Sequence, residues 1–236
     1  VTNLIAIHQP NYLPWPGLFH KWMEADAFIL LDTVQYHKNE WQNRNRMKGC
    51  QGAQWLTTPV HYHFGQHICE LELAASNWAK KQSTAIAQAY ARAPYFDRYW
   101  SPLRDLLAQA ACERWRLGML NSAVIRLLGA QLGCGAPLYI ASEMDSASED
   151  PTERLIGLCQ QLGGSGYLSG SEGRNYLRRD AFVAAGLRLC FQQVEAPIYP
   201  QLHGVFVSHL SVIDLLYNVG EQAGDVVRNM GEVVSS

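Results

Sequence analysis

The chain has 236 residues, 48% of them hydrophobic and 17% charged, and a formal net charge of −2. That length and balance suit one large or two small globular domains and exclude a disordered chain. A pI near 6.5 argues against a dedicated nucleic-acid binder, which carries a basic face.

Leu4–Ile7 reads as a buried strand that opens into a polar burst, His8-Gln9-Pro10-Asn11-Tyr12-Leu13-Pro14-Trp15-Pro16-Gly17. Pro16 to Ala25 reads as a helix, with Leu18, Phe19, Trp22 and Met23 as its apolar stripe and proline in its first turn. Ala27–Leu31 is a second strand, and the resulting βαβ unit requires a parallel sheet. This strand opens into a second burst that runs from Asp32 through Gln35, Tyr36 and Lys38 to Trp41-Gln42-Asn43-Arg44-Asn45-Arg46. Trp55–Val60 and Ile68–Leu73 are expected as strands on either side of a hairpin or loop, His61 to His67.

Trp78 to Ala91 reads as a helix capped by Ser76-Asn77 and interrupted at Pro94-Tyr95. Leu103–Trp115 and Met119–Leu132 follow as periodic helices, the second stopped by Gly133 and Gly135. Residues 76–135 are thus expected as a helical block inserted in a single α/β domain. Leu138–Ala141 is a short strand and Thr152–Leu162 an amphipathic helix. The strand Gly166–Ser169 opens into Gly170-Ser171-Glu172-Gly173-Arg174, ahead of a helix from Asn175 to Ala185. Leu187–Val194 is the last expected strand and Leu210–Asn218 the last helix, and residues 231–236 are expected to fray.

In open parallel sheets ligands lie outside the carboxyl ends of the strands, so both bursts are candidate site walls. His8 and Gln9 can serve as an acid/base and its hydrogen-bonding partner, or can simply close the strand end. Arg44 can grip a carboxylate or phosphate and Asp32 can orient an imidazole or an amine; the alternative is a solvated basic loop. Ser169 to Arg174 can present backbone N–H groups, backed by the positive end of the next helix, or can be a tight turn alone. Tyr199-Pro200-Gln201-Leu202-His203 can supply a further wall, with His203 a second proton carrier held by Asp214. His61, His63 and His67, with Cys69 beyond, have the superficial spacing of a metal site, but an exposed histidine-rich hairpin is the favoured reading and no metal is expected.

His8-Gln9-Pro10-Asn11-Tyr12-Leu13-Pro14-Trp15, Phe28, and Asp32-x-x-Gln35-Tyr36-x-Lys38-x-x-Trp41-Gln42-Asn43-Arg44 together resemble the WbqC-like family. The resemblance continues through Trp55-Leu56-Thr57-x-Pro59-Val60, Tyr167-Leu168-Ser169-Gly170 with Tyr176, and Tyr199-x-Gln201, Phe206 and Leu210-Ser211-x-x-Asp214-Leu215-Leu216. It implies a role in modifying amino sugars of O-antigen or capsule, or in small-molecule biosynthesis, through acyl or aminoacyl (including glycyl) transfer. A second resemblance, in layout, is to HxGH-type nucleotidyltransferases, which implies a Rossmann-like parallel sheet flanked by helices and a nucleotide-shaped pocket. No H-x-G-H can be read here, because Pro14 and Pro16 occupy its region.

The sequence reading is therefore a transferase forming an amide or ester bond on an amine such as an amino sugar, from a thioester or other activated donor. His8, Gln9, Asn11, Tyr12, Asp32 and His203 are the expected catalytic group. Gln35, Lys38, Trp41, Asn43, Arg44, Arg46, Tyr167, Ser169, Gly170, Gly173, Arg174, Tyr176, Tyr199 and Gln201 are the expected substrate-binding group. No cofactor is required, and a carrier protein or CoA can bring the thioester. The alternatives are a non-catalytic nucleotide-sugar-binding protein and an atypical nucleotidyltransferase or ATP-dependent ligase. The six scattered cysteines suit free thiols in a reducing cytosol. With no basic start and no long apolar run, a cytoplasmic protein without membrane or nucleic-acid partners is expected.

Overall fold

The computed structural model describes residues 3–74, 77–145 and 148–235. β1 (Leu4–His8) buries its first four residues, as a strand covered on both faces must. α1 (Pro16–Met23) starts on Pro16 and buries Leu18, Phe19 and Trp22. β2 (Ala27–Leu30) returns parallel to β1, with Ile5 opposite Ala27 and His8 opposite Leu30.

The second burst does not stay a loop. Its last residues become β3 (Arg44–Gly49), which forms an antiparallel hairpin with β4 (Gly52–Thr57) outside the main sheet. The expected strand over Trp55–Val60 is therefore split: Pro59, which cannot donate to a ladder, separates β4 from β5 (Val60–His61). The expected strand over Ile68–Leu73 is a single 3-10 turn, Ile68–Glu70, followed by β6 (Glu72–Leu73), which pairs antiparallel with β5. Glu70 reaches back to the His67 N–H (2.8 Å), and this local cap favours the turn over an extended strand.

The helical stretch holds α2 (Trp78–Tyr90), α3 (Phe96–Cys112) and α4 (Leu117–Leu132). Ser76, half of the expected cap of α2, lies outside the described residues, and Asn77 makes no side-chain cap. α3 begins seven residues before the expected Leu103 and runs through Pro102. Its buried residues Phe96, Tyr99, Trp100, Leu103, Leu107 and Ala110 keep a helical period across the proline, so packing outweighs the local penalty.

β7 (Leu138–Ile140), α5 (Pro151–Gln161), β8 (Gly166–Ser169) and β9 (Arg188–Val194) follow close to expectation. The expected helix from Asn175 to Ala185 is broken into a 3-10 turn, Ser171–Asn175, and the six-residue α6 (Arg179–Ala184). α7 (Val212–Val219) and α8 (Ala223–Arg228) lead to β10 (Gly231–Ser235). The expected fraying is corrected for residues 231–235: this strand pairs antiparallel with β9, Val233 opposite Gln192. Ser236 lies outside the described residues.

The main sheet has the order β10-β9-β8-β1-β2-β7, parallel except at β10. Leu4, Ala6, Phe28 and Leu30 face α1, the three-helix stretch, α7 and α8. Ile5, Ile7, Ala27 and Ile29 face α5 and α6. From β1 the chain winds outward through β2 and β7, then returns to wind the other way through β8 and β9. The reversal between β1 and β8 opens a crevice at their carboxyl ends.

Candidate active site

That crevice is a cavity of about 990 Å³. His8, Gln9 and Asn11 line it from the loop after β1, Gly17 and Lys21 from α1, and Lys38, Trp41 and Gln42 from the second burst. Arg154 of α5, Tyr167, Ser169 and Gly170 at the end of β8, Tyr176, and Gln192 of β9 complete it. Gly17 must lack a side chain, because a Cβ there would lie 2.1 Å from the Trp15 indole folded over it.

His8 is half-buried at the end of β1. Its Nδ1 donates to the Gln9 carbonyl (2.8 Å); a carbonyl only accepts, so the neutral ring carries its proton there and leaves Nε2 as a lone-pair acceptor. Burial, together with the nearby Lys21 ammonium, pushes the imidazole down to about 4. His8 is therefore a neutral ring with an open nitrogen at pH 7.

Lys21, one turn after Gly17 on the same face of α1, is 2% exposed. Its Nζ donates to the Ile7 carbonyl (2.7 Å) and lies 5.9 Å from the Tyr167 ring centroid. Among the described residues it has no carboxylate partner, and burial brings the ammonium down to about 7. Nothing local in the sequence singles it out among the residues of a short helix.

The two bursts are tied together by amides. Asn121, fully buried on α4, donates from Nδ2 to the Pro10 and Gln42 carbonyls, both at 2.7 Å. Gln42 donates to Gln9 Oε1 (2.8 Å) and accepts from the His37 N–H (2.8 Å). Asn45 donates to the Leu13 carbonyl (2.8 Å), and Asn43 to that of Thr58 (2.9 Å). Asn121 carried a legible signal, an amide among the buried Leu117, Leu120, Val124 and Ile125, because such a group needs internal partners.

Several expected site residues lie elsewhere. Tyr12 is fully buried and donates to Gln82 Oε1 (2.6 Å), and burial raises its phenol. Asp32 does not line the cleft: its carboxylate accepts from the Ser142 N–H (2.9 Å) and hydroxyl (2.7 Å), tying β2 to the turn after β7. Gln35 bridges to His67 outside the cleft, and Asn43 and Asn45 are clasps, as above. Arg44 lies 4.3 Å over the Trp55 ring, and Arg46 donates to the His209 carbonyl (3.3 Å); neither lines the large cleft.

Gly173 packs under Ser169, whose Oγ would lie 2.0 Å from a Cβ, and its N–H already donates to the Gly170 carbonyl (3.0 Å). The expected helix amplifying this turn is absent at that point, and Arg174 stacks on Phe191 at 4.5 Å. Tyr199, Gln201 and His203 form no wall of the cleft. Gln201 clasps both backbone groups of Val207 (2.9 Å each), and His203 Nε2 donates to the Ala89 carbonyl (2.7 Å). Asp214, rather than holding His203, accepts from the Tyr90 hydroxyl (2.7 Å), and burial raises its carboxyl.

His61, His63 and His67 are exposed. Among the described residues no group of three or more His, Cys, Asp or Glu is placed to hold a metal. No described helix is long and apolar enough to cross a membrane.

The model of the WbqC-like protein family matches residues 9–226. A protein of Mycobacterium tuberculosis, Uncharacterized protein Rv1507c, is 35% identical over 229 residues, covering 95% of this chain and 97% of that one. No solved structure matches.

Proposed function

The chain belongs to the WbqC-like protein family, and from that premise we propose that the cleft is the active site of an acyl- or aminoacyltransferase acting on an amine. The observation that carries this reading is His8, which lines the cleft: its Nδ1 is bonded to Gln9, and its neutral ring is left with an acceptor nitrogen that has no partner among the described residues. An amine N–H becomes acidic as the C–N bond forms, and His8, a weak base at its lowered value, takes the proton at that stage and not before. Asn11 lines the cleft and makes no side-chain hydrogen bond to another described residue, so its amide is free to donate to the oxyanion. Lys21, Lys38 and Arg154 outnumber Glu40 and Glu172 in the lining, which favours an anionic portion of donor or acceptor, such as a sugar phosphate.

With a thioester donor the step balances without a nucleotide. The C–N bond forms, the C–S bond breaks, His8 removes the amine proton, and the leaving thiolate takes it up. The test is thiol release from an acyl-pantetheine donor in the presence of an amino sugar. His8→Ala is expected to lower the rate by about 10²–10⁴-fold while binding survives; equal turnover overturns the role of His8.

A second reading, a nucleotide or nucleotide-sugar site on a Rossmann-like, nucleotidyltransferase-like sheet, is favoured by the reversal of winding at the cleft. Pyrophosphate release from a nucleoside triphosphate would select a nucleotidyltransferase or ligase. Tight binding of a nucleotide sugar, with neither pyrophosphate nor thiol released, would select a binding protein.

A further inference from the structure

Beside the large cleft lies a second cavity of about 350 Å³, lined by His8, Asn11, Trp15, Trp41, Asn45 and His209. His8, Asn11, Trp15 and Trp41 line both cavities, so the imidazole stands where the two meet. Their walls differ in kind. Lys21, Lys38, Glu40, Arg154 and Glu172 all line the large cleft, and no Lys, Arg, Asp or Glu lines the small one.

The small cavity is walled by flat rings. Trp15 stacks on His209 with centroids 5.5 Å apart and planes at 21°, and Trp41 leans on Trp55 at 5.4 Å. Asn45 offers it little polarity: its Nδ2 donates to the Leu13 carbonyl (2.8 Å), and its Oδ1 accepts from the Arg46 N–H (2.8 Å). A charged group entering would lose hydration with no counter-charge in the wall. Indoles can also hold a cation, but here the wall is already backed by cations. Arg44 and Arg46 lie 4.3 and 6.0 Å from the Trp55 ring centroid, and neither has a carboxylate partner among the described residues.

We infer that the small cavity is an acyl subsite: it takes an uncharged, apolar acyl chain of the donor, while the large cleft takes the polar, anion-bearing acceptor. This rests on the transferase reading and narrows it. The carbonyl carbon lies at the junction beside His8 Nε2, the chain points between Trp15 and Trp41, and a glycyl group with its ammonium is a poor fit.

The experiment measures affinity of the intact protein for unreactive S-alkyl pantetheine thioethers by calorimetry, in parallel with thiol release from the corresponding thioesters. Affinity is expected to rise roughly threefold to fourfold for each methylene from methyl to butyl. The increment should shrink to under about twofold in Trp41→Ala and in His209→Ala, the latter an exposed loop residue, because the chain then leaves less apolar surface dry. Affinity independent of chain length in the wild type overturns the subsite, as does tighter binding of the 2-aminoethyl thioether than of the propyl one. Chain-length dependence in a protein that releases no thiol supports the subsite and overturns the transferase reading alone.

Discussion

The two polar bursts look alike in the sequence, and the structure uses them differently. After β1, His8, Gln9 and Asn11 reach the cleft, and one ring nitrogen of His8 has no partner among the described residues. After β2, Leu31, Val34, His37, Lys38, Glu40, Trp41 and Gln42 line the cleft, while Asn43 and Asn45 clasp backbone carbonyls and Arg44 and Arg46 pack around Trp55. Polar side chains past a strand end are thus of two kinds: those with internal partners build the wall, and those without are free to meet a substrate. His8 and His203 each bond one ring nitrogen to a backbone carbonyl, and what separates them is place: His8 lines the cleft and His203 does not.

This contrast can be broken most sharply at His8, where alanine should cost the large rate factor given above and His203→Ala should leave thiol release close to wild type. Asn121 tests the scaffold kind. Asn121→Ala leaves the Pro10 and Gln42 carbonyls without their donor, and should lower the unfolding free energy by about 2–4 kcal/mol in a urea titration. An unchanged urea midpoint would show that the two bursts hold each other without it.

Lys21 gives a pH signature. Its ammonium is lowered from 10.5 to about 7 in the folded protein, so between those values the unfolded chain binds more protons. Stability contributed at this site therefore rises with pH across that window. Wild type minus Lys21→Met should climb by up to about 1.4 kcal/mol per pH unit from about pH 7 to 10. A flat difference would mean that Lys21 remains charged. For His8, lowered from 6.5 to about 4, the sign is the same, with the rise falling between those two values. The smallest effect is expected at Arg44, where alanine removes a stacked guanidinium worth about 0.5–1 kcal/mol and should leave thiol release near wild type. A large loss there would move Arg44 from the scaffold to the site.

Much of the frame was legible. β1, α1, β2, α5, β8 and β9 follow from apolar runs, a helical period and proline or glycine at their ends, all local signals. The structure departs from these local signals where contacts distant in sequence decide. β10 is held by pairing to β9, and nothing within Gly231–Ser235 announces that edge. α3 crosses Pro102 because its apolar face is buried against neighbouring helices. The shortened α6 reflects a segment in which only Leu177 and Phe182 are buried between Tyr176 and Ala184.

For the site, the sequence by itself determined that polar residues follow β1, β2 and β8, and hence which end of the sheet carries the cleft. It also placed His8 there, since a strand's end and its side-chain alternation are written in the strand. Tertiary structure alone decided which of those residues are free. Lys21 became a cleft residue because α1 sets its Nζ on the Ile7 carbonyl and beside Tyr167, and Tyr12, Asp32 and His203 were withdrawn by partners as distant as Gln82, Ser142 and Ala89. A hydrogen-bonding group is fixed by whichever partner the fold brings to it, and that partner need not be near in the chain.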